Sequence, residues 1–134
     1  MEKFLSEARN YVKSERLKDL YQTPLQNFTP EKTYDCFWLQ WSILYLTDAD
    51  LVDLLKRCSA CLNPSGVICV KENVSGEGSG FMIDKTDNSI MRTDQQYRDL
   101  FKKANLRLLF DMKQPNFPKS LYPVYMYCLR PLAK

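Results

Sequence analysis

The stretch Tyr34-Asp35-Cys36-Phe37-Trp38-Leu39-Gln40-Trp41-Ser42-Ile43 decides the fold. From Tyr34 to Leu39 it is nearly continuous apolar sequence, Asp35 excepted, with no alternating polar face. A strand without a polar face is usually buried on both sides, as in a parallel α/β sheet. Gln40 and Trp41 then fall where the strand would emerge at its carboxyl end. Open α/β sheets place their ligand groups there, so a functional site is expected at these two residues.

Downstream, Thr47 can accept from a free amide of a first helical turn, and Asp48 and Asp50 suit the positive end of the helix dipole. Leu51, Leu54, Leu55, Cys58, Cys61 and Leu62 recur at helical spacing and define one core-facing stripe. Asn63-Pro64-Ser65-Gly66 is expected to stop the helix and turn the chain. Val67-Ile68-Cys69-Val70 is a second apolar run that ends in the polar Lys71-Glu72-Asn73. Strand, helix, turn and strand make a βαβ unit with parallel strands and a right-handed crossover. Polar residues gather at both carboxyl ends.

The flanks fill out an α/β domain. Glu2 to about Val12 reads as a helix with Phe4, Leu5, Ala8, Tyr11 and Val12 on one stripe, and Lys18 to Gln22 as a short strand closed by Thr23-Pro24. Val74 to Ile90, with Gly76, Gly78 and Gly80, reads as a long loop of the kind that serves as a lid. Thr93 and Gln96 form a capping box for a helix whose stripe is Tyr97, Leu100, Phe101 and Ala104. Leu106 to Met112 and Val124 to Cys128 alternate, as an antiparallel pair at a sheet edge would.

Composition narrows the chemistry. A length of 134 residues suits one domain, and 45% hydrophobic with 26% charged residues is ordinary for a globular chain. A net charge of +3 without a basic cluster gives no argument for nucleic acid, and no long apolar segment suggests a membrane span. Histidine is absent, which removes His-based triads and Cys/His zinc sites. A general base must then be Asp, Glu, Lys, Tyr or a relayed water. The five cysteines lie in expected strands or on a helix face, where Cys packs as a small hydrophobe. An odd count with no secretory signal makes a cytoplasmic or nuclear protein the expectation.

Trp38-Leu39-Gln40-Trp41, Leu46-Thr47-Asp48, Asn63-Pro64-Ser65-Gly66 and Lys71-Glu72-Asn73 resemble the alpha-N-terminal protein methyltransferases. So do Leu25-Gln26-Asn27-Phe28, the stretch from Asp84 to Arg92 and the ending from Tyr122 to Arg130, in the same order along the chain. The resemblance implies a Rossmann-like seven-stranded methyltransferase fold. It implies methyl transfer from S-adenosyl-L-methionine to the α-amine of protein N-termini of Xaa-Pro-Lys type. On the matching positions it places Leu25 and Gln26 at the adenine end of the cofactor and Gln40 in cofactor contact. Trp41 would wall the substrate channel and Asn73 would orient the amine. Asp84, Asp87 and Ser89 would engage the peptide, with Asp87 near the amine as base or proton relay, and Tyr122 would line the peptide groove. Tyr45 stands where the family has a histidine.

The family's Gly-rich cofactor loop and its ribose-binding acidic residue have no counterpart here, nor do its first two strands. The fold is therefore expected to be partial, a single methyltransferase domain truncated at its N-terminus. Weak cofactor binding and marginal folding of the 134 residues alone are expected, and low-micromolar affinity with cooperative melting would overturn that. Two other readings stay open beside the enzyme. One is a truncated, non-catalytic relative acting as a binding module or an inactive product; the other is a small-molecule methyltransferase.

Overall fold

The run at Tyr34 does form a strand, and its neighbours give it a sheet to belong to. The computed structural model describes residues 2–12, 14–76, 82–84, 88–116, 118 and 122–132. In chain order it has α1 (Glu2–Tyr11), β1 (Tyr34–Gln40), α2 (Asp48–Ala60), β2 (Leu62–Asn73), β3 (Met82–Asp84), β4 (Ser89–Met91), α3 (Asp94–Lys103), β5 (Leu106–Lys113) and β6 (Val124–Pro131). Short 3-10 turns occupy Leu25–Asn27 and Ile43–Tyr45. The main sheet runs β1-β2-β6-β5, and β3 pairs with β4 in a separate hairpin. β1 and β2 are parallel, so the βαβ unit forms as expected; β6 is antiparallel to both β2 and β5.

Packing holds α2 in place more than propensity does. The Thr47 hydroxyl caps it by accepting from the Asp50 amide at 3.2 Å. Leu51, Leu54, Leu55 and Cys58 are buried against Ile68 and Val70 of β2. Each large side chain buried this way contributes roughly 1.5–3 kcal/mol, against tenths for a favourable helical residue. Burial also pushes the Cys58 thiol up to about 11, as suits a residue acting as a core hydrophobe. α3 carries the reciprocal Thr93–Gln96 capping box, and it buries Tyr97, Leu100 and Phe101, with Ala104 at its end, in the same core as Tyr127 and Leu129 of β6.

The structure corrects four expectations. β1 is not buried on both faces: Phe37 and Leu39 pack on the core, but Trp38 is 57% exposed and Cys36 and Gln40 are exposed beside it. The reason is its place at the end of the sheet order, with β2 as its one strand neighbour among the described residues. Lys18 to Gln22 is not a strand. Among the described residues it pairs with no strand; it flanks β1 across a cavity lined also by Tyr34, Cys36 and Trp38, and is tied by a Lys32–Asp19 ion pair at 3.2 Å and an edge-on Tyr21–Phe28 contact. The helix expected from Glu2 forms as α1, and Phe4, Tyr11 and Val12 of its stripe are exposed, Tyr11 at 89%.

Asn63-Pro64-Ser65-Gly66 does not separate α2 from a later strand. It lies within β2 as a bulge: Tyr34 pairs with Leu62 and Cys36 with Val67, so β2 carries three extra residues between those points. Asn63 Nδ2 donates to Asp35 Oδ1 at 2.8 Å across the bulge. A Cβ on Gly66 would lie 2.9 Å from Leu62 Cδ2 and 3.2 Å from the Asp35 carbonyl, which makes this glycine a close-approach requirement. Finally, the region read as one loop from Val74 to Ile90 contains the β3–β4 hairpin in its described part.

Candidate functional site

Two adjacent parallel strands end side by side at the opening stretch. Gln40 is in register with Lys71, and the chain then turns at Trp41, whose amide donates to the Lys71 carbonyl at 3.1 Å. Trp41 adopts φ 48°, in the left-handed region. That conformation costs an L-residue about 1–2 kcal/mol and persists only where surrounding contacts fix it. Here the contacts are visible. The Trp41 indole N–H donates to Asn73 Oδ1 at 3.2 Å, and the Lys71 ammonium lies 5.1 Å from the ring centroid. An indole can only donate, so its partner must be the amide oxygen. Among the described residues this is the one side-chain bond that Asn73 makes, so a lone pair of its oxygen can still accept.

Trp38 fixes Gln40 in the same way. Its indole N–H donates to Gln40 Oε1 at 2.8 Å, which leaves the Gln40 amide hydrogens to meet an acceptor. Leu25 and Gln26 sit on different support. Leu25 is half-buried against the core. Arg57 of α2 donates to the Gln26 carbonyl at 3.0 Å and the Phe28 carbonyl at 2.9 Å, anchoring this 3-10 turn to the helix.

The hairpin and the C-terminal strand close the other side. Asp84 and Ser89 are paired in register across β3 and β4, and Ser89 is buried. The Val74 amide donates to the Pro123 carbonyl at 2.9 Å, which brings the Tyr122 segment to the end of β2. Tyr45, in the 3-10 turn after Trp41, is 56% exposed, and Tyr122 is exposed as well. The structure thus gathers Trp41, Tyr45, Asn73, Ser89 and the Tyr122 segment around the carboxyl ends of β1 and β2. The side chain of Asp84 and the whole of Asp87 lie outside the described residues.

Sequence reading missed the charges beneath this surface. Glu72 is fully buried on the core face of β2, the alternate face from Asn73. Its Oε1 accepts from the Asn73 backbone amide at 3.1 Å, while Oε2 has no partner within hydrogen-bond geometry among the described residues. Burial pushes this carboxyl up to about 7; the Asn73 and Leu44 amides and the Arg92 charge pull it down only in part. Arg92, 1% exposed, donates to the Leu46 carbonyl at 2.7 Å, to Asp48 Oδ1 at 2.9 Å and, at 3.5 Å, to the Ile43 carbonyl. A Glu closing an apolar strand was the one signal available in the sequence. Arg92 gave none, because its partners lie more than forty residues away.

Comparison with known proteins gives these groups a context. A family model described as AdoMet dependent proline di-methyltransferase matches residues 1–130. The Alpha N-terminal protein methyltransferase 1 of Dictyostelium discoideum is 44% identical over 128 residues, covering 94% of this chain and 47% of that protein. The N-terminal Xaa-Pro-Lys N-methyltransferase 1 of Xenopus tropicalis is 42% identical over 132 residues, covering 96% of this chain and 58% of that protein. A solved S-adenosylmethionine-dependent methyltransferase from Leishmania major superposes with a TM-score of 0.87 at 35% identity, over 94% of this chain and 50% of that one. The chain therefore spans about half the length of the curated relatives it matches, and its sheet is part of a Rossmann-like methyltransferase fold. On that match the chain belongs to the family of S-adenosylmethionine-dependent proline di-methyltransferases.

Proposed function

We propose that the protein methylates the α-amino group of protein N-termini of Xaa-Pro-Lys type, with S-adenosyl-L-methionine as the methyl donor. The observation that carries this reading is the strained Trp41 locked to Asn73 at the ends of two parallel strands. An aromatic wall and a fixed amide oxygen, side by side, suit a proline ring next to an amine.

The reading gives each group a task. A free α-amine has a pKa of roughly 8, so a sizeable neutral fraction exists near neutral pH. The protein then has to hold the lone pair in line, take one proton and exclude water. The free lone pair of Asn73 Oδ1 would accept from the amine and set its direction. Trp41 would wall the channel with Lys71 behind it, and Ser89, Tyr45 and Tyr122 would line the peptide path. Asp87 and Asp84 are proposed as the carboxylates that meet the amine and the cationic third residue. Tyr45 would serve as a hydrogen-bonding wall of the peptide path.

For the donor, the Gln40 amide hydrogens and the half-buried Leu25 beside Gln26 fit an acceptor-bearing, partly apolar molecule. The cofactor would supply an electrophilic methyl on a sulfonium. These three residues include no carboxylate to meet ribose hydroxyls or an ammonium, so they fit one side of it. That gap supports the alternative of a non-catalytic relative, and the relatives' remaining length is where the other side would be sought.

Incubating the chain with excess S-adenosylmethionine and a peptide beginning Ser-Pro-Lys should add methyl groups at the α-amine, read by mass spectrometry. An N-acetylated peptide should gain none. A folded chain that binds the peptide but transfers no methyl at saturating cofactor would instead establish the binding-module alternative. Methylation of small amines in preference to the peptide would establish a small-molecule enzyme.

A further inference from the structure

Arg92 occupies a junction that none of the proposed substrate residues explains. It follows β4, which carries Ser89, and its carbonyl accepts from the Ser75 amide at 2.9 Å just beyond the end of β2. Its guanidinium reaches under the segment after Trp41, taking the Leu46 carbonyl, the Ile43 carbonyl and Asp48 at the start of α2. The ring of Tyr97 from α3 lies 5.8 Å from the guanidinium carbon. Glu72 sits within electrostatic reach of Arg92, and its carboxylate holds the backbone amide of Asn73. Three acceptors in different directions use the forked geometry of a guanidinium, which an ammonium cannot reproduce. A guanidinium and a carboxyl buried inside a core this small are costly unless they fix something.

We propose that Arg92 and Glu72 are positioning residues, a buried brace that sets the spacing between the Trp41–Tyr45 segment, Asn73 and the Ser89 hairpin. The inference rests on the methyltransferase reading for its purpose, but its geometry can be tested without any reaction. Neither side chain touches the proposed peptide; Glu72 acts through the backbone amide of Asn73, and Arg92 through the Ile43 and Leu46 carbonyls that flank Tyr45. Loss of the fork would let the Ile43–Leu46 segment relax and carry Trp41 away from Asn73. The Leu25–Asn27 turn, anchored by Arg57, would stay where it is.

The test compares the two indole N–H signals in nitrogen-15 NMR spectra of the whole chain, assigned by Trp38→Phe and Trp41→Phe. Arg92→Lys should move the Trp41 signal while that of Trp38, bonded to Gln40, stays in place. A folded Arg92→Lys chain with both signals unmoved overturns the proposal. Glu72→Gln keeps an oxygen for the Asn73 amide and should leave Trp41 in place, whereas Glu72→Leu should move it. Identical spectra for those two variants overturn the proposal even where Arg92→Lys does not fold. In the methylation assay, Arg92→Lys should lower kcat/KM for the peptide about 10- to 100-fold, the order expected for a misplaced reacting group, and leave KM for the donor unchanged. A wild-type chain that transfers no methyl removes the functional reading, and the NMR comparison then decides the brace by itself.

Discussion

Replacing Glu72 by Gln should stabilise the protein at neutral pH and barely change it in acid. The carboxyl is fully buried, with the Asn73 amide on one oxygen, the Leu44 amide also acting on it, and no partner within hydrogen-bond geometry for Oε2 among the described residues. Its pKa rises from 4.5 to about 7 on folding. Below about 4.5 it is protonated in both states and contributes no pH dependence. Between 4.5 and 7 the unfolded chain releases a proton that the folded chain still holds, so stability falls as pH rises through this window. Each tenfold difference in proton affinity between the two states is worth about 1.4 kcal/mol, so the loss reaches about 3 kcal/mol above neutrality. Neutral glutamine keeps an acceptor for the Asn73 amide and has no ionisation to lose. The variant should therefore match wild type near pH ~4.5 and exceed it by about 2–3 kcal/mol at pH ~7.5. Urea unfolding followed by tryptophan fluorescence at pH values of about 4.5, 6 and 7.5 measures this difference, and equal m-values certify that the unfolded states are comparable. A variant less stable than wild type at the highest of these would refute the reasoning. It would mean that Glu72 is ionised in the folded state and that its attraction to Arg92 outweighs burial.

Three further outcomes are expected. Trp41→Gly should be more stable than Trp41→Ala by about 1 kcal/mol, because φ 48° suits glycine and strains alanine; both should lose peptide methylation, and equal stability would show that the backbone relaxes. Thr93→Ala removes the hydroxyl that accepts from the Gln96 amide at 3.1 Å and should lower stability by about 1 kcal/mol in the same urea assay. Leu54→Ala, at a site 1% exposed under the β2 face, should cost about 3 kcal/mol. A loss under about 1 kcal/mol there would mean that the core closes over the gap.

Local signals were the readable ones. Thr47 and Thr93 announce their helices because a cap involves residues three apart, and the stripes of α2 and α3 do so because burial repeats with the helical turn. The strand pairs at both ends of the sheet were legible from apolar runs and alternation. What failed had a distant cause. Whether Trp38 is covered depends on what lies beside β1, and no residue near Trp38 records it. Lys18 to Gln22 has the composition of a strand but no partner among the described residues. Gly66 looked like a stop signal, although it sits inside a strand bulge where a Cβ would crowd Leu62, the Asn63 carbonyl and the Asp35 carbonyl of the neighbouring strand.

The same division runs through the site. Gln40, Trp41 and Asn73 could be singled out because a polar residue at the end of an apolar strand breaks a local pattern, and the structure joins two of them through one hydrogen bond. Glu72 breaks that pattern too, but the pattern cannot say on which face of β2 the break falls. Alternation along the strand decides it: Asn73 faces the Trp41 ring, so its neighbour must face the core, where burial favours the neutral carboxyl. Arg92, from beyond the β3–β4 hairpin, pulls that carboxyl down only in part and is itself ion-paired to Asp48. One surface residue of the site thus entails a buried polar one beneath it. The exposed face presents the chemistry, and the buried face holds the parts of that chemistry at fixed separations.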